Sequence, residues 1–397
     1  MYLLMAILVL FAGIGHLAIW TRLHSFIHAL PYRQWLIDIG EYSTYLMSLL
    51  LPALFLAWWM MQPQRAALET GNGTETTTLY YLWYAYGVVC ILAFVAACLL
   101  WLFYWSESHA AANYFREQLV ERLVFDNEAD QLLAKKSVRT AHKFPGNQIL
   151  RMEVNRKELL LRRLPEQLDG LTITHISDLH LKGHMAEAFY HKIVDQVNDL
   201  QSDLIVISGD IFDRDQCFPW SARTLSRLSA PCGVYFILGN HENRTSDPEL
   251  ARKTLIDDGL ISLGGRHRTL MIRDYPVLLA GNELPWHPPA ADMSTVDPAS
   301  YDQPPFKLLV AHTPDQFGWA CTHDFDLMLA GHVHGGQIRL PGLGPIVSPS
   351  IYGTRYACGV FYSTPTMMHV SRGISGTTPL RIYCSPEITQ LVLRQAK

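Results

Sequence analysis

Charge is missing from three long stretches of this 397-residue chain: residues 1–20, 43–61 and 79–105 contain no Asp, Glu, Lys or Arg. Each is near or above the ~20 residues that carry a helix across a hydrocarbon core, which argues against a wholly soluble protein. Excess charge of one sign is missing too. With 32 Lys and Arg against 36 Asp and Glu the net charge is -4, so no basic field points to nucleic acid. Cysteine is sparse: there are 7, an odd number, with no CxxC pair. Cys90 and Cys98 fall inside the third uncharged stretch, and the rest read as buried thiols in a reducing compartment, not as disulfides or a zinc ribbon. Internal repeats and low-complexity tracts are absent.

What is present divides the chain into three. Residues 1–105 read as a transmembrane region with spans at about 1–20, 43–61 and 79–105. The third span has aromatic belts, Tyr80, Tyr81, Trp83 and Tyr84 at one end and Trp101, Phe103, Tyr104 and Trp105 at the other. The first span lacks the basic start of a cleaved signal peptide. His16 is the conspicuous ionisable residue of the spans and is expected near a span end. No carboxylate, Lys or Arg marks a transport pathway through them. Arg22 and Arg33 in the first loop, and Arg116, Arg122, Lys135, Lys136, Arg139 and Lys143 after the third span, outweigh Arg65 beside Glu69 and Glu75. The positive-inside rule then places the first loop and the C-terminal part in the cytoplasm, in a multi-pass membrane protein. Asn72-Gly73-Thr74 matches a glycosylation acceptor but is too common by chance to carry weight.

Residues 106–147 read as a juxtamembrane connector, with Phe115, Leu119, Val120, Leu123 and Val124 at the spacing of an amphipathic helix. A strand pair is expected over Ile149–Leu164. Residues 148–397 then alternate strand, loop and helix, with helices over Met185–Leu200, Pro219–Leu228 and Asp247–Asp258, which argues for a layered α/β fold.

Five polar blocks recur in that part: Asp178-Leu179-His180, Gly209-Asp210, Gly239-Asn240-His241-Glu242, His312, and Gly331-His332-Val333-His334. Each follows an apolar run that reads as a buried strand (LTITHIS, DLIVIS, GVYFIL, KLLVA and DLMLA), so the ligands converge at one sheet edge. Asp210 can bridge two cations, because each carboxylate oxygen offers a further lone pair. Asn240 supplies a neutral oxygen, and His312, His332 and His334 complete the set. Two divalent cations ~3.5–4 Å apart clamp an in-line displacement and generate hydroxide near neutral pH. Mixed carboxylate, amide and imidazole donors without thiolate suit Mn first, with Fe or Zn open.

These blocks resemble the five-motif signature of the calcineurin-like metallophosphoesterases, with no substitution, over roughly Leu171–Arg394. Longer phrases such as AGHVHGGQIRLPGLGP and VSRGISGTTPLRIYCSPEI are similar to a membrane-associated bacterial branch that includes UDP-2,3-diacylglucosamine pyrophosphohydrolases of lipid A synthesis. The resemblance implies a β-sandwich flanked by helices. It also implies one metal held by Asp178, His180, Asp210 and His334 and a second by Asp210, Asn240, His312 and His332. His241 would face the scissile phosphate as acid or charge stabiliser. Glu242 would orient His241 or its loop, or sit on the surface. His175 is expected to be a packed core histidine, and His184, His191, His267, His287, His323 and His369 surface or structural residues. Arg339, Arg355 and Arg372, in Gly-rich loops, are candidates to clamp a phosphate.

The expected activity is hydrolysis of a phosphodiester or pyrophosphate in a lipid-linked substrate such as UDP-2,3-diacylglucosamine. Soluble nucleotides or glycerophosphodiesters remain an alternative substrate class, as does a non-catalytic membrane regulator that kept the fold. The membrane is the expected partner and nucleic acid is not; nothing in the sequence fixes the oligomeric state.

Overall fold

The computed structural model describes residues 2–32, 34–68 and 74–396. Met1, Arg33, Glu69, Lys397 and the Asn72-Gly73 pair of the glycosylation match lie outside the described residues. The chain forms two compact units, Met1–Glu107 and Ser108–Lys397.

The first unit is three helices, α1 (Tyr2–His28), α2 (Gln34–Leu68) and α3 (Thr74–Ala111). Each is long and apolar enough to cross a membrane, over Leu3–His28, Trp35–Met61 and Thr78–Glu107. No more than 11% of any of these windows is buried, which leaves the broad apolar outer surface that lipid would cover. The helices overrun the uncharged stretches because polar residues at a span end do not break a helix; α1 stops only ahead of Pro31. His16 therefore lies in mid-helix, not near a span end. It is buried, with Nδ1 2.6 Å from Tyr86 Oη and Nε2 3.0 Å from the Ser48 carbonyl.

The second unit packs two sheets face to face between helices. The first sheet contains β1 (Phe115–Val124), β2 (Arg151–Leu161), β3 (Thr172–Ile176), β4 (Leu204–Ser208), β5 (Val234–Ile237), β6 (Ile261–Ser262) and β15 (Glu387–Gln395), ordered β1-β2-β15-β3-β4-β5-β6. The second contains β7 (His267–Ile272), β8 (Tyr275–Asn282), β9 (Phe306–Ala311), β10 (Leu327–Ala330), β13 (Gly359–Ser363) and β14 (Thr366–Val370), ordered β13-β14-β10-β9-β8-β7. A small hairpin, β11 (Arg339–Leu340) and β12 (Gly344–Pro345), stands apart.

Strand alternation builds the layers. In β4, Leu204 and Val206 join Leu308, Val310 and Leu329 between the sheets, while Ile205 and Ile207 join Phe189, Ile193 and Val197 of the helix Glu187–Asp199 on the outer face. In the second sheet Leu309, Met328 and Met368 pack outward against Phe317 and Ala320 of the helix Phe317–Thr322.

The connector corrects the sequence reading. Phe115–Val124 is not an amphipathic helix but the strand β1, antiparallel to β2, and the expected strand pair is the single long strand β2. The reason is local: the register shifts between Leu119 and Glu121, so one extra residue breaks the two-residue period and imitates helical spacing. The expected boundary at 147/148 thus falls inside the unit that begins at Ser108. The helix expected over Pro219–Leu228 is also broken, into Phe218–Ser221 and a turn at Leu225–Arg227, with Thr224 Oγ1 donating back to the Trp220 carbonyl.

β15 pairs in parallel along its whole length with residues 153–161 of β2. A fragment beginning at Gly170 would lose the buried side chains Met152, Val154, Leu159 and Leu161. At about 1.5–3 kcal/mol each, that approaches the entire net stability of a domain. Circular dichroism should show a cooperative melt for a fragment beginning at Ser108 and none for one beginning at Gly170. Equal melting temperatures would mean that β1 and β2 are dispensable.

Candidate metal centre

The five polar blocks all sit just beyond the carboxyl ends of parallel strands, three in the first sheet and two in the second. Asp178 and His180 follow β3, Asp210 follows β4, Asn240 and His241 follow β5, His312 follows β9, and His332 and His334 follow β10. Facing sheets whose strands end together leave a crevice there.

The structure brings the expected ligands together in two groups. Asp178, His180, Asp210 and His334 each offer a ligand atom, all within 4.8 Å of one another; so do Asp210, His312 and His332. Asp210 belongs to both groups. Asn240 joins the second, with Oδ1 3.1 Å from His312 Nε2. All of these except Asn240 are buried.

The turns that aim these side chains are strained. Asp178, His180, Asp210, His332 and His334 have φ of 53°, 49°, 54°, 71° and 50°. Non-glycine residues rarely occupy this left-handed region, and such outliers gather where function holds them. Gly239 is required for a different reason: a Cβ there would come within 2.6 Å of the His312 ring.

Lone pairs converge in a way that a cation would resolve. His312 Nδ1 donates to the Ser208 carbonyl at 2.7 Å, so its Nε2 turns an acceptor toward Asp210 Oδ1 at 3.2 Å. His180 Nδ1 donates to Asp213 at 2.8 Å, and its Nε2 lies 3.2 Å from His334 Nε2. Asp210 Oδ2 is buried with no hydrogen bond. With only protons available, burial pulls His312 down but Asp210 and Asp178 outweigh it and raise the ring to about 9. Divalent metal fits these donors better, since it meets carboxylate and neutral imidazole in one centre.

Two contributors were not read from the sequence, and a third, His287, was read only as a surface or structural residue. Asp213 is buried and accepts from His180 Nδ1 through one oxygen and from His241 Nδ1 through the other, both at 2.8 Å. Burial opposes its ionisation, yet His241 and His180 hold its carboxyl well below the usual range. It fixes the tautomer of both rings, so that each Nε2 faces the crevice. Its sequence signal was a second acid three residues after Asp210, in an otherwise apolar turn. Trp286 walls the second group, its ring 4.8 Å from that of His332 and 5.6 Å from that of His312. His287 supports the same loop by donating to the Gly239 carbonyl at 2.7 Å.

Glu242 is fully buried, which removes the surface reading. Its carboxylate accepts from the backbone of Ile211, Phe212 and Gly239, tying the Asp210 turn to the Asn240 turn. Burial and the nearby Asp210 charge push it up to about 8, against the pull of those donors. His175 packs in the core as expected, bonded to His369 and Ser208.

The three arginines are engaged by other partners. Arg372 is committed to Glu387 and Glu153 at 2.9 and 2.8 Å, an ion pair between strands instead of an open clamp. Arg339 donates to the Gly335 carbonyl, and Arg355 stacks over the Tyr356 ring at 4.9 Å.

Asp213→Asn tests the tautomer argument. An amide can accept from only one ring and turns a donor toward the other. Turnover should fall ~100-fold, with metal affinity 10–100-fold weaker, the usual cost of losing such a partner. Unchanged metal titration and unchanged turnover would remove Asp213 from the site.

Residues 171–336 match the calcineurin-like phosphoesterase family. A transmembrane protein with metallophosphoesterase domain from Danio rerio is 30% identical over 255 residues, covering 60% of this chain and 56% of that protein. Phosphodiesterase YaeI of Escherichia coli is 28% identical over 243 residues, covering 59% and 88%. UDP-2,3-diacylglucosamine pyrophosphatase LpxG of Chlamydia muridarum is 24% identical over 283 residues, covering 57% and 85%.

Proposed function

Because the chain carries a calcineurin-like metallophosphoesterase domain and is a hydrolase, we propose that it is a membrane-anchored dimetal phosphoesterase acting on a lipid-linked phosphodiester or pyrophosphate. The observation that carries the dimetal reading is the membership of Asp210 in both ligand groups. One cation would be held by Asp178, His180, Asp210 and His334, the other by Asp210, Asn240, His312 and His332. When bound, the pair supplies a clamp for in-line displacement and an acidified water; Mn is the first expectation, with Fe or Zn open.

The side chains do the rest. His241 Nδ1 is engaged by Asp213, so Nε2 faces the crevice, 4.0 Å from Asp210 Oδ2. From there it donates a hydrogen bond to a phosphate oxygen gaining charge, or a proton to the leaving group. Glu242 and Asp213 keep the turns and rings in place.

The lipid-linked substrate is supported by the three candidate spans and by the pyrophosphatase relative, whose named substrate carries two acyl groups. The catalytic unit is assigned to the cytoplasmic side of a bacterial inner membrane on the Lys and Arg that follow Trp105. A second reading, hydrolysis of soluble nucleotides or glycerophosphodiesters, is favoured by the phosphodiesterase relative.

Purified full-length protein with Mn²⁺ should hydrolyse UDP-diacylglucosamine or another lipid-linked phosphoester faster than glycerophosphodiesters or an aryl phosphodiester. Preference for the soluble esters would replace the lipid reading. A reporter fused to the C-terminus that is active only in the periplasm would overturn the sidedness.

A further inference from the structure

Between Leu327 and Pro386 the chain contains no Asp or Glu; of its four arginines Arg372 is ion-paired to Glu153 and Glu387 and Arg381 is buried, while Arg339 and Arg355 are half-exposed. Within this acid-free run lies the β11–β12 hairpin, which is apolar where a soluble loop would be polar. Ile338, Leu340, Leu343, Ile346, Ile351 and Tyr383 are all exposed, Leu343 by 61% and Tyr383 by 65%. Ile382 bridges to Ile338, which places Tyr383 beside the base of the hairpin. The turn at its tip runs through Pro341 and Gly342, the latter at φ 77°, and closes with the Leu343 amide donating to the Leu340 carbonyl at 3.2 Å.

Both ends of this segment are tied to metal-ligand loops. It leaves the ligand His334 through Gly335 and Gly336, and a Cβ on Gly336 would meet the Val347 carbonyl at 2.9 Å. It returns to Asp315, three residues after His312, which accepts from Ser350 Oγ and from the Ile351 amide. An apolar tip flanked by the half-exposed Arg339 is complementary to an anionic lipid surface: Leu343 and its neighbours would enter the acyl boundary while Arg339 lies at the level of the headgroup phosphates.

We infer that the 338–351 hairpin is a lipid-docking element that seats on an anionic bilayer and presents a bilayer-borne phosphoester to the ligand loops at its two ends. The docking stands on the surface itself; the presentation step rests on the hydrolase reading above.

Full-length protein in nanodiscs of phosphatidylcholine alone, or mixed with phosphatidylglycerol, provides the test. Hydrogen exchange across residues 338–351 should slow at least fivefold when the anionic lipid is included. Leu343→Glu should abolish that slowing and Leu343→Trp should retain it. Equal exchange in both lipids overturns the inference. So does protection that follows protein concentration instead of lipid composition, since the cover would then be a second copy. Turnover is read separately: Leu343→Glu should lower the ratio of UDP-diacylglucosamine to bis(p-nitrophenyl) phosphate hydrolysis at least tenfold, and an unchanged ratio would end the presentation step. If neither ester is cleaved by the unaltered protein, the hydrolase reading fails while the exchange result still decides the docking.

Discussion

Asp210→Ala should leave no measurable turnover and reduce bound metal from two ions per chain to one or fewer. Asp210 contributes to both ligand groups, and its Oδ2 has no hydrogen bond competing for the lone pairs. Its removal leaves the remaining donors without the carboxylate that draws two like charges together. The change has a second effect, because Asp210 Oδ1 also accepts from the His241 amide at 2.8 Å and holds that turn. Asp210→Asn separates the two: it keeps an oxygen for the amide and lowers the charge. Metal analysis should therefore find Asn between the natural residue and Ala, with little turnover in either variant. Two ions retained in the Ala variant would sink the bridging assignment.

His241→Ala should behave differently, cutting turnover by ~10²–10⁴ while metal content stays near that of the unaltered protein. The argument is geometric. Asp213 still accepts from His180 through its other oxygen, so the ring that serves the first ligand group keeps its tautomer. The His241 backbone amide, which steadies Asp210, survives the substitution. What disappears is the Nε2 facing the crevice. Elemental analysis beside turnover decides the point: metal lost in step with activity would make His241 a ligand.

The convergence of the candidate ligands was legible because each is a polar residue soon after a buried apolar strand, and five such endings in order leave few folds that could scatter them. The burial of β4 and β9 is equally plain in the apolar runs DLIVIS and KLLVA, though not which residue faces which layer. Asp213 was not legible, since its role depends on two rings meeting one carboxylate across 28 and 33 residues of chain. Glu242 was read as orienting His241 or its loop, or as a surface residue; nothing local signals that three backbone amides from two turns close on it. β1 was misread for a physical cause, the extra residue at Leu119–Glu121 that disguises a strand's period. Arg372 resembled a phosphate clamp by neighbourhood, but β15 brings Glu387 to it across 15 residues and β2 brings Glu153 across 219.

The left-handed backbone at Asp178, His180, Asp210, His332 and His334 sets what selection can do with this chain. Each such residue costs on the order of 1 kcal/mol or more, and glycine or asparagine would relieve part of that cost. A lineage or a laboratory library kept only for heat resistance should therefore drift toward Gly and Asn at these five positions, gaining robustness as it loses chemistry. Retention of all five as Asp and His is the mark of a population still screened for turnover.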